Sequence, residues 1–337
     1  MNRARSTGRT EGDPPSAGAG ETVEHLVVGA GPVGTATALA LAESGDRVRV
    51  VTRSGSGPGH PLISLIPADA ADGGRLADLA AGAATVFNCA NPPYHRWARD
   101  WPPLASSILG AAERAGAVLV TMSNLYGYGP VDGPMTTDTP LAATETKGRV
   151  RAEMWRQALE AHENGRVRVA EARASDFIGR GLGPANNMGS RVTDRVARGR
   201  GVRVIGRSDV AHSWTYVGDV ARTLVTLARS EEAWGRAWHV PSGPPLTQEE
   251  LVVAMCRAAG VDRVPVGTVP RALLRVVGLF QPKVREVLRI AYQFERPFVM
   301  DSRATTEAFG LEVTPLNEVL DEVFRGVPRG SGIASRG

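Results

Sequence analysis

Hydrophobic positions along this chain fall into short β-branched runs that alternate with longer segments of small and amphipathic residues. "HLVVGA", beginning at His25, is a brief continuous apolar run of the kind a parallel strand shows when both its faces are buried. "GPVGTATALALAESG" follows as a small-residue helix that stops at Gly45, and "RVRVVTR" is a second strand. The alternation continues. "LISLIPAD" is a strand and "GRLADLAAG" a helix. "ATVFNCA" is a strand and "LASSILGAAERAG" a helix. "AVLVTMS" is a strand, "ETKGRVRAEMWRQALEAH" a long helix and "VRVAEARAS" a sixth strand. This rhythm predicts an α/β fold, a Rossmann-type doubly wound parallel sheet covered on both faces.

After Asp176 the rhythm breaks. "FIGRGLGPANNMG" is a glycine-rich loop, "SRVTDRVARG" a helix and "VRVIG" a short strand. "AHSWTYVGDVARTLVTLARS" is a turn and a helix, and "RAWHVPSG" a strand. From Thr247, a good N-cap, the pattern is mostly helical to Phe324. The expected organisation is therefore a disordered leader over 1–23 and a nucleotide-binding domain over 24–175, to which 213–242 return. A smaller, mostly helical substrate lobe follows over 176–212 and 243–326, with a loose tail over 327–337.

Bulk properties narrow the function. A net charge of +4 spread over 337 residues makes no basic block, which argues against a nucleic-acid partner. No apolar run approaches the ~20 residues that span a bilayer, and the leader lacks the apolar core of a secretory signal, so a cytoplasmic protein without a membrane partner is expected. Cys89 and Cys256 form neither a disulfide framework nor a metal spacing; no histidine or carboxylate cluster adds one, so no metal is expected. The G-x-S-x-G elbow of a serine hydrolase is also missing.

The chemistry-bearing motif is "VVGAGPVG". It sets Gly29, Gly31 and Gly34 between a strand and a helix as G-x-G-x-x-G. Gly29 permits the turn, Gly31 lets backbone approach a pyrophosphate, and Gly34 lets helix and strand pack closely. The helix start at Pro32 and Val33 offers free N–H groups to the anion. The second strand ends in Arg53 and Ser54 where an NAD site would carry a carboxylate. An arginine fork suits a 2′-phosphate, so NADP(H) is expected over NAD(H). Asp69 after the third strand and Asn88, Ala90 and Asn91 after the fourth are expected to line the cofactor groove.

Four pieces in order carry a family resemblance: the glycine loop, "TMSNLYGYG", "EARASDFIGRG" and "AHSWTYVGDVARTL". Together they resemble the extended short-chain dehydrogenase/reductases, the NAD-dependent epimerase/dehydratase family, over roughly Glu24 to Phe324. That resemblance implies a serine, a tyrosine and a lysine in Y-x-x-x-K. Tyrosine exchanges the substrate proton, lysine holds the nicotinamide ribose and lowers the tyrosine pKa, and serine orients the carbonyl. Here the lysine is Lys147, but the tyrosine position is Ala143, whose methyl cannot donate a proton. Aligning Tyr126-Gly127 with the family's Tyr-Gly leaves Ser123 one position late, with Thr121 or Met122 in its place unless a residue is deleted. Tyr126 and Tyr128 are the remaining phenols.

The first reading is an atypical NADP(H)-dependent oxidoreductase of a small organic carbonyl or alcohol. Ser123 and Lys147 assist, and Tyr126 or Tyr128 supplies the proton. The alternatives are a nucleotide-sugar-type epimerase, dehydratase or cyclase with transient or no net hydride transfer, and a non-catalytic NADP-binding sensor or scaffold. The substrate side is expected to draw on Tyr94, His95 and Trp97, on Phe177, Asn186, Asn187 and Met188, and on His212 and Trp214, with Tyr292 and Phe294 as cover. These aromatic residues point to a flat or apolar small-molecule substrate. By analogy with the fold, a homodimer is the expected assembly.

Overall fold

The computed structural model describes residues 23–327; apart from Val23 and Val327, the expected leader and tail lie outside the described residues. β1 (Glu24–Val28) leads into α1 (Pro32–Glu43). Then come β2 (Arg47–Thr52), β3 (Ile63–Pro67), α2 (Gly73–Ala80), β4 (Thr85–Asn88), α3 (Trp97–Ala115), β5 (Val118–Asn124), α4 (Thr146–Glu163) and β6 (Arg168–Ala174). Beyond them lie β7 (Asp176–Ile178), α5 (Ser190–Ala197), β8 (Val202–Val204), β9 (Trp214–Tyr216), α6 (Val217–Arg229) and β10 (Arg236–His239). α7 (Gln248–Ala259), β11 (Val266–Thr268), α8 (Arg271–Phe280), α9 (Pro282–Arg289), α10 (Arg303–Phe309) and α11 (Leu316–Phe324) complete the described chain.

The central sheet has seven strands in the order β10-β6-β5-β4-β1-β2-β3, every pair parallel. Alternation along a strand explains why its sequence is apolar throughout. Val27 of β1 joins Ala38 and Leu41 of α1 and Leu224 of α6 on one face. Its neighbours Leu26 and Val28 join Leu76, Leu79, Ile108 and Ala111 of α2 and α3 on the other. Each fully buried aliphatic side chain contributes roughly 1.5–3 kcal/mol, so this two-sided burial sets the strand register.

One boundary differs from expectation. α3 begins at Trp97, several residues before "LASSILG", and runs through Pro102 and Pro103. Two lost backbone hydrogen bonds are outweighed by burial of Trp97 and Trp101, which are 1% and 0% exposed.

A second hydrophobic core lies among β7, α5, β8, β9, α7 and α11, with Met188, Val192, Trp214, Leu251, Cys256 and Phe324 at its centre. Two-stranded pairings, β7 with β9 and β8 with β11, frame it. The Val-x-Asp-Val-Ala segment joins the two parts. Asp219 opens α6 and is 2% exposed; it accepts hydrogen bonds from the Thr314 backbone N–H at 3.0 Å and the Thr314 hydroxyl at 2.6 Å, and pairs with Arg222 at 2.6 Å. This motif is a clamp that fastens the chain before α11 to the helix packed against α1.

Removing that carboxylate leaves the part-buried Thr314 N–H without its acceptor, while Arg222 keeps the Glu312 carbonyl. Asp219→Ala is expected to destabilise the protein by about 2–3 kcal/mol, read as a lower midpoint in chemical denaturation, with Arg222→Ala costing less because its side chain is half exposed.

Candidate active site

Strand order reverses between β1 and β4, and the carboxyl ends of these strands leave a crevice that neither connection covers. The glycine loop fills one side of it. Gly29 has φ +99°, and a Cβ there would lie 2.8 Å from the Cys89 carbonyl oxygen. A Cβ on Gly34 would lie 2.0 Å from the Gly29 carbonyl oxygen. Gly29 thus makes the turn in a left-handed conformation against the Cys89 carbonyl, and Gly34 sets how near α1 lies to the strands. Gly31 differs: nothing lies within 4 Å of a Cβ built there, and this N-cap of α1 has no side chain satisfying the helix N–H groups. Open space over an uncapped, positively polarised helix end fits a dinucleotide pyrophosphate.

From that point a cavity of about 260 Å³ runs toward the second core. Gly31, Pro32, Val33, Cys89, Ala90 and Asn91 line its entrance. Tyr94, Trp97, Ser123, Asn124, Tyr126 and Arg151 line its middle. Asp176, Phe177, Asn186, Asn187, Gln293 and Phe298 line its far end. About half of the expected residues thus meet in one place. Arg53 and Ser54 are exposed just beyond β2, in a loop whose Gly57 comes down beside Ala30, so they flank the entrance without lining it.

Other expected residues are elsewhere. Asn88 is buried, accepts a hydrogen bond from the Ala90 N–H, and faces a separate small cavity against α3 and α4. Asp69 is exposed and accepts from the Ala71 N–H in a turn. His95 is exposed on a 3-10 turn. Met188 and Trp214 belong to the second core, where the Trp214 indole N–H donates to the Leu246 carbonyl. Phe294 stacks on His212, and Tyr292 packs against Phe298; Gln293 and Phe298 are the residues of that segment that reach the cavity.

Two catalytic expectations change. Tyr128 does not line the cavity. Its hydroxyl accepts from Arg173 at 2.8 Å and meets His239 Nε2 at 2.7 Å, while His239 Nδ1 donates to the Asp301 carbonyl. Burial, with Arg173 nearby, holds His239 down at about 4. Arg173 in turn pairs with Glu171, both charges lying buried inside β6. Tyr128 is thus part of a buried polar lattice.

Lys147 is the second change. Its side chain is 0% exposed and its ammonium is 2.5 Å from Glu286 of α9. It does not line the cavity. Glu145 caps α4 by accepting the Lys147 and Gly148 N–H groups, which places Lys147 in the first helical turn. Ala143 lies before that helix, close to Gly129 and Gly148, either of which would press against it if it carried a Cβ. The i,i+4 spacing recurs one turn on, and its second member, Arg151, reaches the cavity.

Arg151 was not among the expected residues, although its position four after Lys147 was the available signal. Its guanidinium lies over the Trp97 and Trp101 rings at 4.8 and 4.5 Å and donates to the Met122 carbonyl; its Nε has no hydrogen-bond partner. Burial pushes it down to about 10, still a cation at neutral pH. Beside it the Tyr126 hydroxyl is 2.9 Å from that of Tyr94, and burial holds Tyr126 well above the ordinary phenol range. Tyr126 is therefore a hydrogen-bond donor at neutral pH. The aromatic residues stack on one another and on Arg151, whereas the far wall presents amides. Asn187 Oδ1 is buried there without a partner.

A model of the NAD dependent epimerase/dehydratase family matches residues 25–240. No curated protein matches the chain. Among solved structures, MoeE5 in complex with UDP-glucose and NAD is 23% identical, covering 89% of this chain and 97% of its own, with a TM-score of 0.71. UDP-glucose 4-epimerase of Thermotoga maritima, with UDP-glucose, is 20% identical over 90% of this chain and 97% of that one, with a TM-score of 0.75. DesIV, the dTDP-glucose 4,6-dehydratase of Streptomyces venezuelae with NAD bound, is 18% identical over 90% and 96%, with a TM-score of 0.71. At these identities the shared property is the fold.

Breaking the Lys147–Glu286 pair on one side strands a buried charge. Lys147→Met is expected to cost about 3–5 kcal/mol, and Lys147→Met with Glu286→Leu far less, in denaturant unfolding. His239 gives a pH dependence. Because its folded pKa lies below the ordinary value of 6.5, only the unfolded chain gains a proton as pH falls from there toward 4. Stability should fall over that window by at most about 1.4 kcal/mol per unit from this group, and His239→Gln should flatten that part of the curve.

Proposed function

Because the chain belongs to the NAD dependent epimerase/dehydratase family, we propose that it is a nicotinamide-dependent enzyme that oxidises and re-reduces a hydroxyl of a nucleotide-sugar-type substrate. The observation that carries this reading is the composition of the cavity from end to end. An uncapped helix N-terminus stands at its entrance, Ser123 and Tyr126 stand at its middle, and Asn186, Asn187 and Gln293 form a far wall of hydrogen-bonding amides. Amides match the many hydroxyls of a sugar better than the flat apolar substrate first expected. Net reduction of a small carbonyl therefore gives way to a reaction with a transient ketone, and the preserved hydroxyl donors favour turnover over a sensor. The relatives solved with UDP-glucose or NAD support the same choice.

The bound nicotinamide would supply the site with a hydride acceptor and donor. The chain's own residues do the rest. Gly31, Pro32 and Val33 receive the pyrophosphate. Ser123 and Tyr126 donate hydrogen bonds to the reacting oxygen. Arg151, and not Lys147, places a positive charge at that end, where it favours the developing negative charge. MoeE5 and DesIV were solved with NAD, and NAD(H) is the form we propose. Arg53 supports a second reading, NADP(H), since β2 ends without a carboxylate to repel a 2′-phosphate.

Tryptophan-quenching titrations with NAD⁺, NADH, NADP⁺ and NADPH decide the cofactor. Binding of NADH at least as tight as NADPH is expected. A tenfold preference for NADPH that Arg53→Ala abolishes would install the second reading. Arg151→Met should lower turnover about tenfold or more, as loss of a charge favouring the developing negative charge implies. Chromatography of UDP-glucose incubated with enzyme and NAD⁺ then tests the chemistry. An epimerised or dehydrated sugar supports the reading; binding of every dinucleotide without change in any of a panel of UDP- and dTDP-sugars sinks it.

A further inference from the structure

Asp176 begins β7 and lines the far end of the cavity, within the Coulomb field of Tyr94 and Tyr126 across it. Its Oδ2 lies 2.8 Å from Nε2 of His212, which is 0% exposed. The other imidazole nitrogen, Nδ1, lies 3.2 Å from the Gln293 carbonyl. The ring is stacked between Phe294 and Phe298, with centroids at 5.0 and 5.3 Å and planes within 25°, and Trp214 lies 4.6 Å away. A carbonyl only accepts, so Nδ1 carries a hydrogen. The imidazole thus sits between two acceptors, a carboxylate and a carbonyl, with three aromatic rings around it.

Every other titratable group lining the cavity keeps its proton near neutral pH. Burial pushes the Cys89 thiol up to about 12 and raises both Tyr94 and Tyr126, while Arg151 stays a cation. The segments packed on His212 from its remaining sides present Gln293, Phe294, Phe298 and Trp214, which carry no charge. Asp176 is thus the lining residue whose carboxylate can receive a proton, and its Oδ1 makes no hydrogen bond among the described residues.

We infer that Asp176 is the proton-exchanging residue of this cavity and that His212 is its positioning residue, together taking the part of the tyrosine that Ala143 replaces. The inference rests on the reading of the cavity as a nicotinamide site. In the oxidising direction the substrate O–H bond breaks, its proton forms an O–H bond with Asp176 Oδ1, and the O–H electron pair becomes the second bond of the ketone. The carbon's hydrogen leaves with its own pair as hydride to the dinucleotide. In the reducing direction the same proton returns to the oxygen. Net charge in the cavity is conserved: the positive charge lost by a reduced nicotinamide is regained by the Asp176–His212 pair. Ser123 and Tyr126 remain hydrogen-bond donors throughout.

Charge conservation makes the inference testable without a substrate. If the pair takes up a proton when the ring charge is absent, NADH binding is linked to protonation and NAD⁺ binding is not. Dissociation constants for NAD⁺ and NADH, or for the NADP forms if those bind, are to be measured by tryptophan quenching between pH 6 and 9. In the wild-type protein the preference for the reduced form should grow as pH falls, by up to tenfold per unit. Asp176→Asn should bind both forms with a pH-independent ratio, and Asp176→Glu should keep the slope. Binding of both forms with a flat wild-type ratio, or a slope that persists in Asp176→Asn, overturns the inference while leaving the dinucleotide site intact. Should Asp176→Asn not fold, the wild-type slope and its midpoint shift in Asp176→Glu decide. Failure of any dinucleotide to bind defeats the functional reading itself, and this inference with it.

Discussion

The closeness of α1 to the sheet is the constraint on which the rest of this structure depends. At Gly34 there is no room for a single methyl group above the Gly29 carbonyl, and at Gly29 none beside the Cys89 carbonyl. With α1 held this near, its first turn points into the gap where strand order reverses, and its N–H groups stay unclaimed by side chains. A bulkier residue at either glycine would lift the helix and close the crevice in which its backbone dipoles are free to meet an anion.

Below that gap the chemistry is organised by which charges are buried with partners. Lys147 lies in the helix where a ribose-holding lysine is expected, yet its ammonium is satisfied by Glu286, a residue far along the chain. Desolvation makes an unpaired buried lysine so costly that a carboxylate within reach captures it. Arg151, one turn on, has no carboxylate partner; it is stabilised by two indole faces and a carbonyl, and its charge remains directed at the cavity. Competition for counter-charges, more than residue type, separates a structural cation from a functional one here.

Polar lattices also tie the later part of the chain to the sheet. Glu171, Arg173, Tyr128 and His239 connect β6, the turn after β5 and β10 to the Asp301 carbonyl, and Asp219 clamps Thr314. Such groups are expensive to bury unless every one is paired, so they favour one relative placement of the two cores. The cavity wall made by Asn186, Asn187, Gln293 and Phe298 needs that placement.

What the sequence by itself determined follows from local periodicity and glycine spacing. The strand–helix alternation, both-faced burial of the strands, the dinucleotide loop, and the positions of Ser123 and Tyr126 at a strand end were legible because each depends on residues adjacent in the chain. Only the tertiary structure decided which side chains face one another across long separations. Lys147 with Glu286, Tyr128 with His239, and Asp176 with His212 are partners that no spacing rule connects. It also decided that Asn186, Asn187 and Gln293 would join Tyr94, Trp97, Tyr126 and Phe177 in one cavity. The physical reason is the same in each case: a buried charge or ring takes its role from the neighbours that satisfy it, and those neighbours are assembled by packing, not by sequence proximity.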